Sequence, residues 1–349
     1  MENLPKNNWI TYGLSLLYFC LLTNTVSAQD AIQPPSIFQS IQNLSDSIPT
    51  IRIASNWKKL VKDKLKEEYQ EAQFSFTNAD GEEIALKAKI RARGNIRKKV
   101  CYYPPVKIKF KKKHLAAMGF DTLNKLKFVI QCRRGNTGEG YLFKERFIYD
   151  LHEQIGPISY RTKLVKIELL EEGKDHEPLF GFLIEEEEEF GKRLSADVLE
   201  VGRIRSKLID RNAYLKMVFF QYLILNTDWS VRNKHNIEFV WVKDSGKFVP
   251  VPYDFDYCGL VGTDYAVPSE ALGISSVKEA LFRGKDITEK EALATAKFFL
   301  AQKDQLYQRL EEYPYFDKRE KTSFKMRMDD FFELLANKKR IIRNFANAE

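Results

Sequence analysis

One stretch in the second half of the chain carries side chains whose types and order have a chemical meaning. Asp228 follows an apolar segment, Asn233 comes five residues later, and Asp254 and Asp256 follow a hairpin pattern. Phosphoryl transfer from a nucleotide needs a carboxylate that orients the attacking hydroxyl. It also needs amide and carboxylate oxygens that hold Mg²⁺ against the phosphates. Because the chain has only four histidines, hard oxygen ligands suit it better than a histidine-rich metal site.

Each of these residues taken alone is a common turn or capping residue. The alternative interpretation is therefore that Asp228 and Asn233 cap turns and that Asp254 and Asp256 are ordinary turn carboxylates. Their joint order and spacing after an apolar helix favour a nucleotide–metal site over that alternative.

The elements expected around this site are mainly helical. Residues 210–225 carry apolar side chains at helical spacing, which predicts the helix that precedes the first aspartate. Residues 237–242 and 247–251 are predicted as two strands joined by an Asp-Ser-Gly turn, so the second aspartate should follow a hairpin. Two long amphipathic helices are predicted further on, at 288–312 and 323–346.

The first half of the chain alternates between apolar and polar residues over short stretches, as strands do. Strands are predicted at 74–76, 84–90, 106–110, 128–130, 164–170 and 179–184. Helices are predicted at 56–72 and 140–155. The sequence therefore predicts an α+β fold of two lobes, with an antiparallel-sheet N-lobe over 49–189 and a mainly helical C-lobe over 190–349.

Five consecutive glutamates, Glu185 to Glu189, follow the last predicted strand of the first lobe. Blocks of like charge usually repel one another and remain in solvent. We therefore expect this run to be a solvated connector between the two lobes.

The N-terminal 28 residues have the pattern of an export signal. Lys6 precedes an apolar stretch, and Val26-Ser27-Ala28 supplies small residues for cleavage after Ala28. An uncleaved membrane anchor is the alternative, but the apolar stretch is short for a span of about 20 residues. Residues 29–48 are rich in Pro, Ser, Gln and Asn and are predicted to form a linker. No other stretch is apolar enough to cross a bilayer, so the mature chain is expected to have no transmembrane span and to be periplasmic, at the cell surface or secreted.

The net charge of +8 and the cysteine count limit the partners and the bound metals. The basic residues are spread along the chain apart from a cluster near 91–113, so we do not expect nucleic acid as a partner. Loss of Cys20 with the signal leaves Cys101, Cys132 and Cys258, of which one pair could form a disulfide. Cys101 with Cys132 is the favoured pair, although spacing alone does not decide it. There is no CxxC motif, which argues against structural zinc.

The two C-terminal motifs resemble those of the spore-coat CotH family of atypical kinases. They are Asn226-Thr-Asp-Trp229 with Asn233, and Pro252-Tyr-Asp-Phe-Asp256; the Asp-to-Asn spacing also resembles a HipA-type kinase loop. Weaker similarities follow in the family's order over residues 85–260. They are Arg93-Gly-Asn95, the basic strand Pro105 to Phe110, the helix Leu142 to Leu151 and the strand Phe180 to Ile184. Ser230 stands where the family commonly has Pro, a difference that bears on loop stiffness more than on chemistry.

The resemblance implies a kinase-like two-lobed fold and a role for each matched residue. Asp228 would activate the acceptor hydroxyl, Asn233 and Asp254 would be metal ligands, and Asp256 would be an auxiliary ligand. The N-lobe would bind ATP, with the base near the backbone of Ile184 to Glu187, and the C-lobe would hold Mg²⁺ or Mn²⁺.

The resemblance also implies phosphate-binding residues on the basic strand. Lys109 fits the family pattern best and Lys107 second, because both lie on the same face of an alternating strand. Glu145 on the following helix would orient that lysine, and Arg93 with Gly94 would shape the turn over the phosphates. The alternative is that 107–113 is only a basic surface edge.

Three functions follow from these residues. The first is an exported kinase that transfers the γ-phosphate of ATP to a hydroxyl, with Ser or Thr of a protein as the expected acceptor. The second is a catalytically weak kinase-fold scaffold of the cell envelope, and the third is a metal-dependent hydrolase, for which histidine ligands are lacking apart from His235. His235 is expected to pack or hydrogen bond, and residues 257–287 are expected to cover the substrate cleft.

Overall fold

The computed structural model describes residues 33–44, 48–171, 176–199, 204–243 and 245–347. The chain divides into residues 1–33 and residues 34–349, and the elements described here belong to the second unit. The expected export signal over 1–28 lies outside the described residues. Among those that are described, no helix is both long and apolar enough to span a membrane.

Seven strands form a closed barrel in the first half of the chain. They are β1 (Thr50–Ser55), β2 (Gln70–Thr77), β3 (Glu83–Ala92), β4 (Val106–Phe110), β5 (Lys125–Ile130), β6 (Thr162–Leu170) and β7 (Leu179–Ile184). The order around the barrel is β1-β2-β3-β4-β5-β7-β6, and only the closing pair of β1 with β6 is parallel. On β4, Val106, Ile108 and Phe110 are buried in the barrel core, which leaves Lys107 and Lys109 on the outer face.

Five helices accompany the barrel. They are α1 (Ile37–Gln42), α2 (Trp57–Lys62), α3 (Ile96–Val100), α4 (Lys112–Ala117) and α5 (Asn136–Ile155). Within the range predicted as a linker, 29–48, the described residues include α1, which Ser36 caps and whose Phe38 is buried in the barrel core. The helix predicted over 56–72 is wrong beyond residue 62, because the chain turns there to begin β2.

The second half is mainly helical. Its elements are α6 (Glu187–Leu194), β8 (Asp197–Val198), α7 (Arg211–Leu223), β9 (Ile237–Val242), β10 (Lys247–Pro252), α8 (Glu289–Ala301), α9 (Lys303–Glu312), α10 (Lys318–Leu335) and α11 (Lys338–Phe345). The two predicted long helices are each divided, at Gln302 and near Asn337, where new N-caps begin α9 and α11. A second core joins α5 and β7 to these helices, so the mixed α+β arrangement agrees with the prediction.

The favoured disulfide is present. Cys101, directly after α3, is bonded to Cys132, two residues after the end of β5, and Cys258 is a buried free thiol. The bond therefore fastens the segment between β3 and β4 to the strand that leads into α5.

The expected solvated connector is wrong. Glu185, Glu186 and Glu189 are buried, because each has a partner that compensates for the loss of water. Arg193 donates to Glu185, Lys107 to Glu186, and Ser36 to Glu189. Two further ion pairs on this run join Lys127 to Glu187 and Lys125 to Glu188. Glu186 caps α6 and Glu187 to Glu189 lie in its first turn. The pairs of Glu186, Glu187 and Glu188 with lysines fasten this turn to the outer face of β4 and β5.

Candidate active site

The Asp228 loop is held in place by its own polar residues. After α7 ends, the backbone N–H of Asp228 donates to Asn226 Oδ1 at 2.9 Å, which forms a local turn. Asn236 Nδ2 donates both to the backbone oxygen of Asp228 at 2.8 Å and to its Oδ2 at 3.0 Å. His235 Nε2 lies 2.9 Å from Asp228 Oδ1, which confirms the expected hydrogen-bonding role of this histidine. The carboxylate is therefore oriented on both of its oxygens, and Asn236 is a positioning residue that the sequence did not indicate.

Asn233 lies in the exposed turn between Asp228 and Asn236. Its backbone N–H donates to Ser230 Oγ at 3.3 Å, and its side chain makes no hydrogen bond within the part of the chain that the structure describes. The amide is thus accessible at the tip of the loop. The structure does not show it in contact with Asp254.

Asp254 follows β10 in a left-handed conformation, with φ of 59°. Its backbone N–H donates to Tyr149 Oη at 2.9 Å, but its carboxylate forms no hydrogen bond or ion pair with any described residue. Burial raises the pKa of Asp254 to about 6, and the negative charges of Asp256 and Asp228 act in the same direction. Asp254 is therefore a partly buried carboxylate without a partner, close to two other carboxylates.

Strained backbone is concentrated in this region. Four of the non-glycine residues with positive φ, among those described, lie between α7 and the segment after β10: Leu225, Lys234, Asn236 and Asp254. Such conformations cost about 1–3 kcal/mol each and persist where the surrounding structure fixes them, which is typical of functional sites.

Behind Asp254, a buried arginine joins two carboxylates. Arg97 on α3 donates from Nε to Asp256 Oδ2 at 2.8 Å and from Nη2 to Glu145 Oε2 at 2.5 Å. Tyr265 donates to the same oxygen of Asp256 at 2.9 Å. Burial raises the pKa of Glu145 to about 8, although the positive charge of Arg97 opposes the shift. With one arginine and two carboxylates, the group would carry a net negative charge if both acids were ionised. A proton retained on Glu145 makes the group neutral.

This arrangement corrects one expectation from the sequence and bears on a second. Glu145 was expected to pair with Lys109 or Lys107, and its partner is Arg97. Asp256 was expected as an auxiliary metal ligand; its Oδ2 accepts from Arg97 and Tyr265, its Oδ1 has no hydrogen bond with a described residue, and the ligand role stays a prediction.

The lysines on the outer face of the barrel differ in their surroundings. Lys109 is exposed and forms no ion pair with a described residue, whereas Lys107 donates to Glu186 at 2.6 Å. Lys127 lies opposite Lys107 in the register of β4 and β5, is buried, and pairs with Glu187. Lys127 is a candidate phosphate-binding residue that the sequence interpretation omitted, although its alternation with apolar neighbours on β5 could have indicated it.

Arg93 lies close enough to Lys127 and to Asp254 for its charge to act on both. Its backbone N–H donates to Pro105 O at 2.8 Å, and the next residue, Gly94, has a φ of 86° that requires glycine. Burial lowers the pKa of Lys127, and the positive charge of Arg93 lowers it further. The same charge also lowers the pKa of Asp254 and so offsets part of the increase that burial causes. Arg93 makes no ion pair with a described residue, so its charge remains available to a ligand near Lys127 and Asp254.

A cleft cavity of about 570 Å³ extends from these lysines toward the second lobe. Lys107 and Lys125 line it on the barrel side, Glu187 on α6, and Val198 and Glu238 on β8 and β9. Lys109 is not part of its wall. Its lining is mostly charged, unlike the apolar lining common in ligand pockets.

The segment 257–287 packs directly against the Asp228 loop. Gly259 N donates to Leu225 O at 2.9 Å, and a side chain at Gly259 would meet Val277 O at 2.4 Å. Arg283 Nη1 donates to Trp229 O at 2.7 Å and also to Thr227 O. The segment therefore supports the loop from one side, and its expected role as a cover for the substrate cleft stays a prediction.

Within the described residues, no three side chains of His, Cys, Asp or Glu come together as a metal-binding group. The donors that fit a divalent cation are instead the partnerless carboxylate of Asp254 and the accessible amide of Asn233, both hard oxygen ligands. An unpaired carboxylate beside other carboxylates gains stability from a nearby cation.

No family model and no curated protein matches this chain. Among solved structures, the chain is similar to one titled "Crystal structure of A Helicobacter pylori proinflammatory kinase CtkA". The sequence identity is 10%, the match covers 72% of this chain and 94% of that chain, and the TM-score is 0.37. A TM-score this low means that the two structures agree only loosely, so the match decides neither the fold family nor the activity of this chain.

Proposed function

We propose that this chain is an exported phosphotransferase of kinase-like fold that transfers the γ-phosphate of ATP to a hydroxyl, with a protein Ser or Thr as acceptor. The observation that carries the proposal is the pair of Asp228 and Asp254. Asp228 is oriented on both carboxylate oxygens, and the nearby carboxylate of Asp254 is left without a partner. A disulfide between Cys101 and Cys132 supports an oxidising compartment.

In this proposal Asp228 accepts a hydrogen bond from the acceptor hydroxyl and takes its proton as the hydroxyl oxygen attacks the γ-phosphorus of ATP. The bond from the γ-phosphorus to the β,γ-bridging oxygen breaks, and ADP leaves with that oxygen. Asn236 holds the carboxylate in the required orientation. Asp254 and Asn233 would hold Mg²⁺ or Mn²⁺, which neutralises charge on the phosphates when it is bound. Arg97 keeps Asp256 and Glu145 fixed behind Asp254 and so positions the segment after β10.

The phosphates would be bound by Arg93 and by the lysines of the barrel face. Arg93 is the more available group, because Lys107 and Lys127 are already paired with Glu186 and Glu187. Phosphate oxygens would have to replace those glutamates as partners of the lysines. The nucleoside would enter the cavity beside Glu187 and Glu238.

The test is phosphate transfer from γ-³²P-labelled ATP with Mg²⁺ or Mn²⁺, read as self-labelling and as labelling of dephosphorylated casein. Asp228→Asn should lower the rate by about 10²-fold or more, the usual contribution of a positioned base. Asp80→Asn, an exposed turn carboxylate on the β2–β3 hairpin, is the matched control and should keep the full rate. Equal labelling by wild type and Asp228→Asn would contradict the assignment.

A scaffold that binds a partner without catalysis is the second candidate, because the glutamates of α6 already neutralise the cleft lysines. Binding of ATP with metal separates the two. A ligand at 100 times its Kd raises the free energy of unfolding by about 2.7 kcal/mol, which a thermal melt detects. A stabilised protein with phosphate transfer supports the kinase, and no stabilisation by any nucleotide–metal pair supports the scaffold.

A further inference from the structure

A second cavity, of about 510 Å³, lies beside the Asp228 loop and is separate from the cleft described above. Its apolar lining comes from Ile209 and Tyr214 on one side and from Trp229 and Val231 of the loop on the other. Trp229 is buried and its Nε1 donates to Asn226 O at 3.1 Å, so this wall is fixed to the loop itself. An object in the cavity would touch the residue directly after Asp228.

Arg283 connects the cavity wall to both sides of the loop. It donates to the backbone oxygens of Thr227 and Trp229, and its guanidinium lies 5.3 Å from the centre of the Trp229 ring. These bonds occupy Arg283, and burial lowers its pKa. Arg283 therefore shapes the wall of the cavity, and the charges available to a ligand are those of the rim.

The rim of the cavity is cationic. Arg232 and Lys285 are exposed, and neither has a carboxylate within ion-pair distance among the described residues. Arg211, also in the lining, is paired with Glu291 at 2.7 Å. Among the described residues of the lining Asp286 is the one acidic side chain, so two cations without an ion pair share the rim with a single carboxylate.

We propose that this cavity docks the acceptor of the phosphotransferase as an acidic peptide segment, with one apolar side chain in the cavity and carboxylates at Arg232 and Lys285. The inference rests on the proposed function and adds the class of acceptor. A compact pocket that is open to solvent on one side and has an apolar wall suits a peptide side chain. A sugar–phosphate chain instead binds along extended basic grooves with stacking surfaces. Charge complementarity at a rim selects partners and speeds their association.

The test is binding without nucleotide, measured by fluorescence polarisation with the full chain. The probes are a fluorescein-labelled Glu-Glu-Leu-Ser-Glu-Glu peptide, its Lys-Lys-Leu-Ser-Lys-Lys counterpart and a labelled single-stranded oligonucleotide. The acidic peptide should bind more tightly than the basic one, and its affinity should fall with added salt. The double variant Arg232→Ser/Lys285→Ser should raise its Kd about five- to tenfold, the effect of losing two exposed ion pairs.

Two further variants make the result specific. Lys318→Ser/Arg319→Ser removes the same charge from the exposed start of α10 and should leave the Kd unchanged. Ser206→Trp places an indole at the cavity lining and should block the acidic peptide while the melting temperature stays within a few degrees.

Several outcomes would overturn the docking site. One is that the acidic and the basic peptide bind equally well, and another is that neither binds at about 1 mM, which corresponds to only about 4 kcal/mol of binding free energy. The others are that the oligonucleotide binds more tightly than the acidic peptide, or that the rim variant and the α10 variant lose the same affinity for that peptide. Phosphate transfer to casein without any preference for acidic peptides would overturn the docking site alone. Acidic-peptide binding without phosphate transfer would overturn the proposed function alone.

Discussion

The buried contact of Arg97 with Glu145 and Asp256 gives a prediction whose size follows from its geometry. All three side chains are less than 10% exposed, and among the described residues the arginine is the one positive charge that bonds to the two carboxylates. Arg97→Met keeps the unbranched apolar stem of the side chain but removes the guanidinium, which leaves Asp256 charged, without an ion pair and bonded only to Tyr265. Removing one partner of a buried ion pair costs about 3–5 kcal/mol.

Glu145→Gln should behave differently, although it changes the same group. Burial already raises the pKa of Glu145 to about 8, so at pH 7 this carboxyl group is mostly protonated and neutral. Glutamine has nearly the same shape and is also neutral. Glutamine retains an oxygen that accepts from Arg97, and the expected loss is below about 1 kcal/mol. The triple variant Arg97→Met/Glu145→Gln/Asp256→Asn removes the buried charges together and should recover part of the stability lost in Arg97→Met.

The assay is urea unfolding at pH 7 followed by far-ultraviolet circular dichroism, with the shift in midpoint converted through a common m-value. The reasoning would be refuted by a loss below about 1 kcal/mol in Arg97→Met. It would also be refuted by equal losses in the Arg97 and Glu145 variants, or by a triple variant less stable than Arg97→Met. If Arg97→Met does not fold at all, Glu145→Gln and the triple variant still decide the question.

Three further predictions concern the fold and the loop. Replacing Cys101 and Cys132 by serine removes the bond that closes a loop with a sequence separation of 31. The free energy of unfolding should fall by about 4 kcal/mol, which urea unfolding with and without reductant measures. His152 is buried and neutral, and burial lowers its pKa to about 4. Between pH 6.5 and pH 4 the unfolded chain therefore binds more protons than the folded chain, so acid favours unfolding. From pH 8 to pH 5 the free energy of unfolding of the wild type should fall by about 2 kcal/mol relative to that of His152→Leu. A difference between the two proteins that stays constant over this range would contradict the prediction. Asn236→Gly keeps the left-handed backbone but removes both bonds to Asp228, so kcat for phosphate transfer should fall about tenfold or more while the melting temperature changes little.

Local patterns predicted the strands well where alternation was regular. The bounds of β4, β7 and β9 agree with the sequence prediction. Each of these segments either alternates between apolar and polar residues or is a continuous apolar run, and each is bounded by clear turn signals. The order of Asp228, Asn233 and Asp254 around a hairpin was likewise visible in the sequence.

Partners distant in sequence could not be predicted. The glutamate run looked solvated because five like charges stand together, whereas its lysines lie 60 to 79 residues earlier on β4 and β5. Arg97 looked like one more surface cation of a basic cluster, and its carboxylates lie 48 and 159 residues away. Pairings across such separations depend on how the barrel closes against the second lobe, which no local pattern shows.

Closure of the barrel also bears on how this chain avoids self-association. With β1 hydrogen-bonded to β6, none of the seven strands presents a free row of N–H and C=O groups to another molecule. The second sheet, in the order β10-β9-β8, is protected by other means: β8 has only two residues, and the outer side of β10 is bridged by Ile209 to Phe248. The described strands therefore offer few templates for the edge-to-edge pairing that leads to aggregates, an advantage for a protein proposed to work outside the cytosol, where ATP-driven chaperones are scarce.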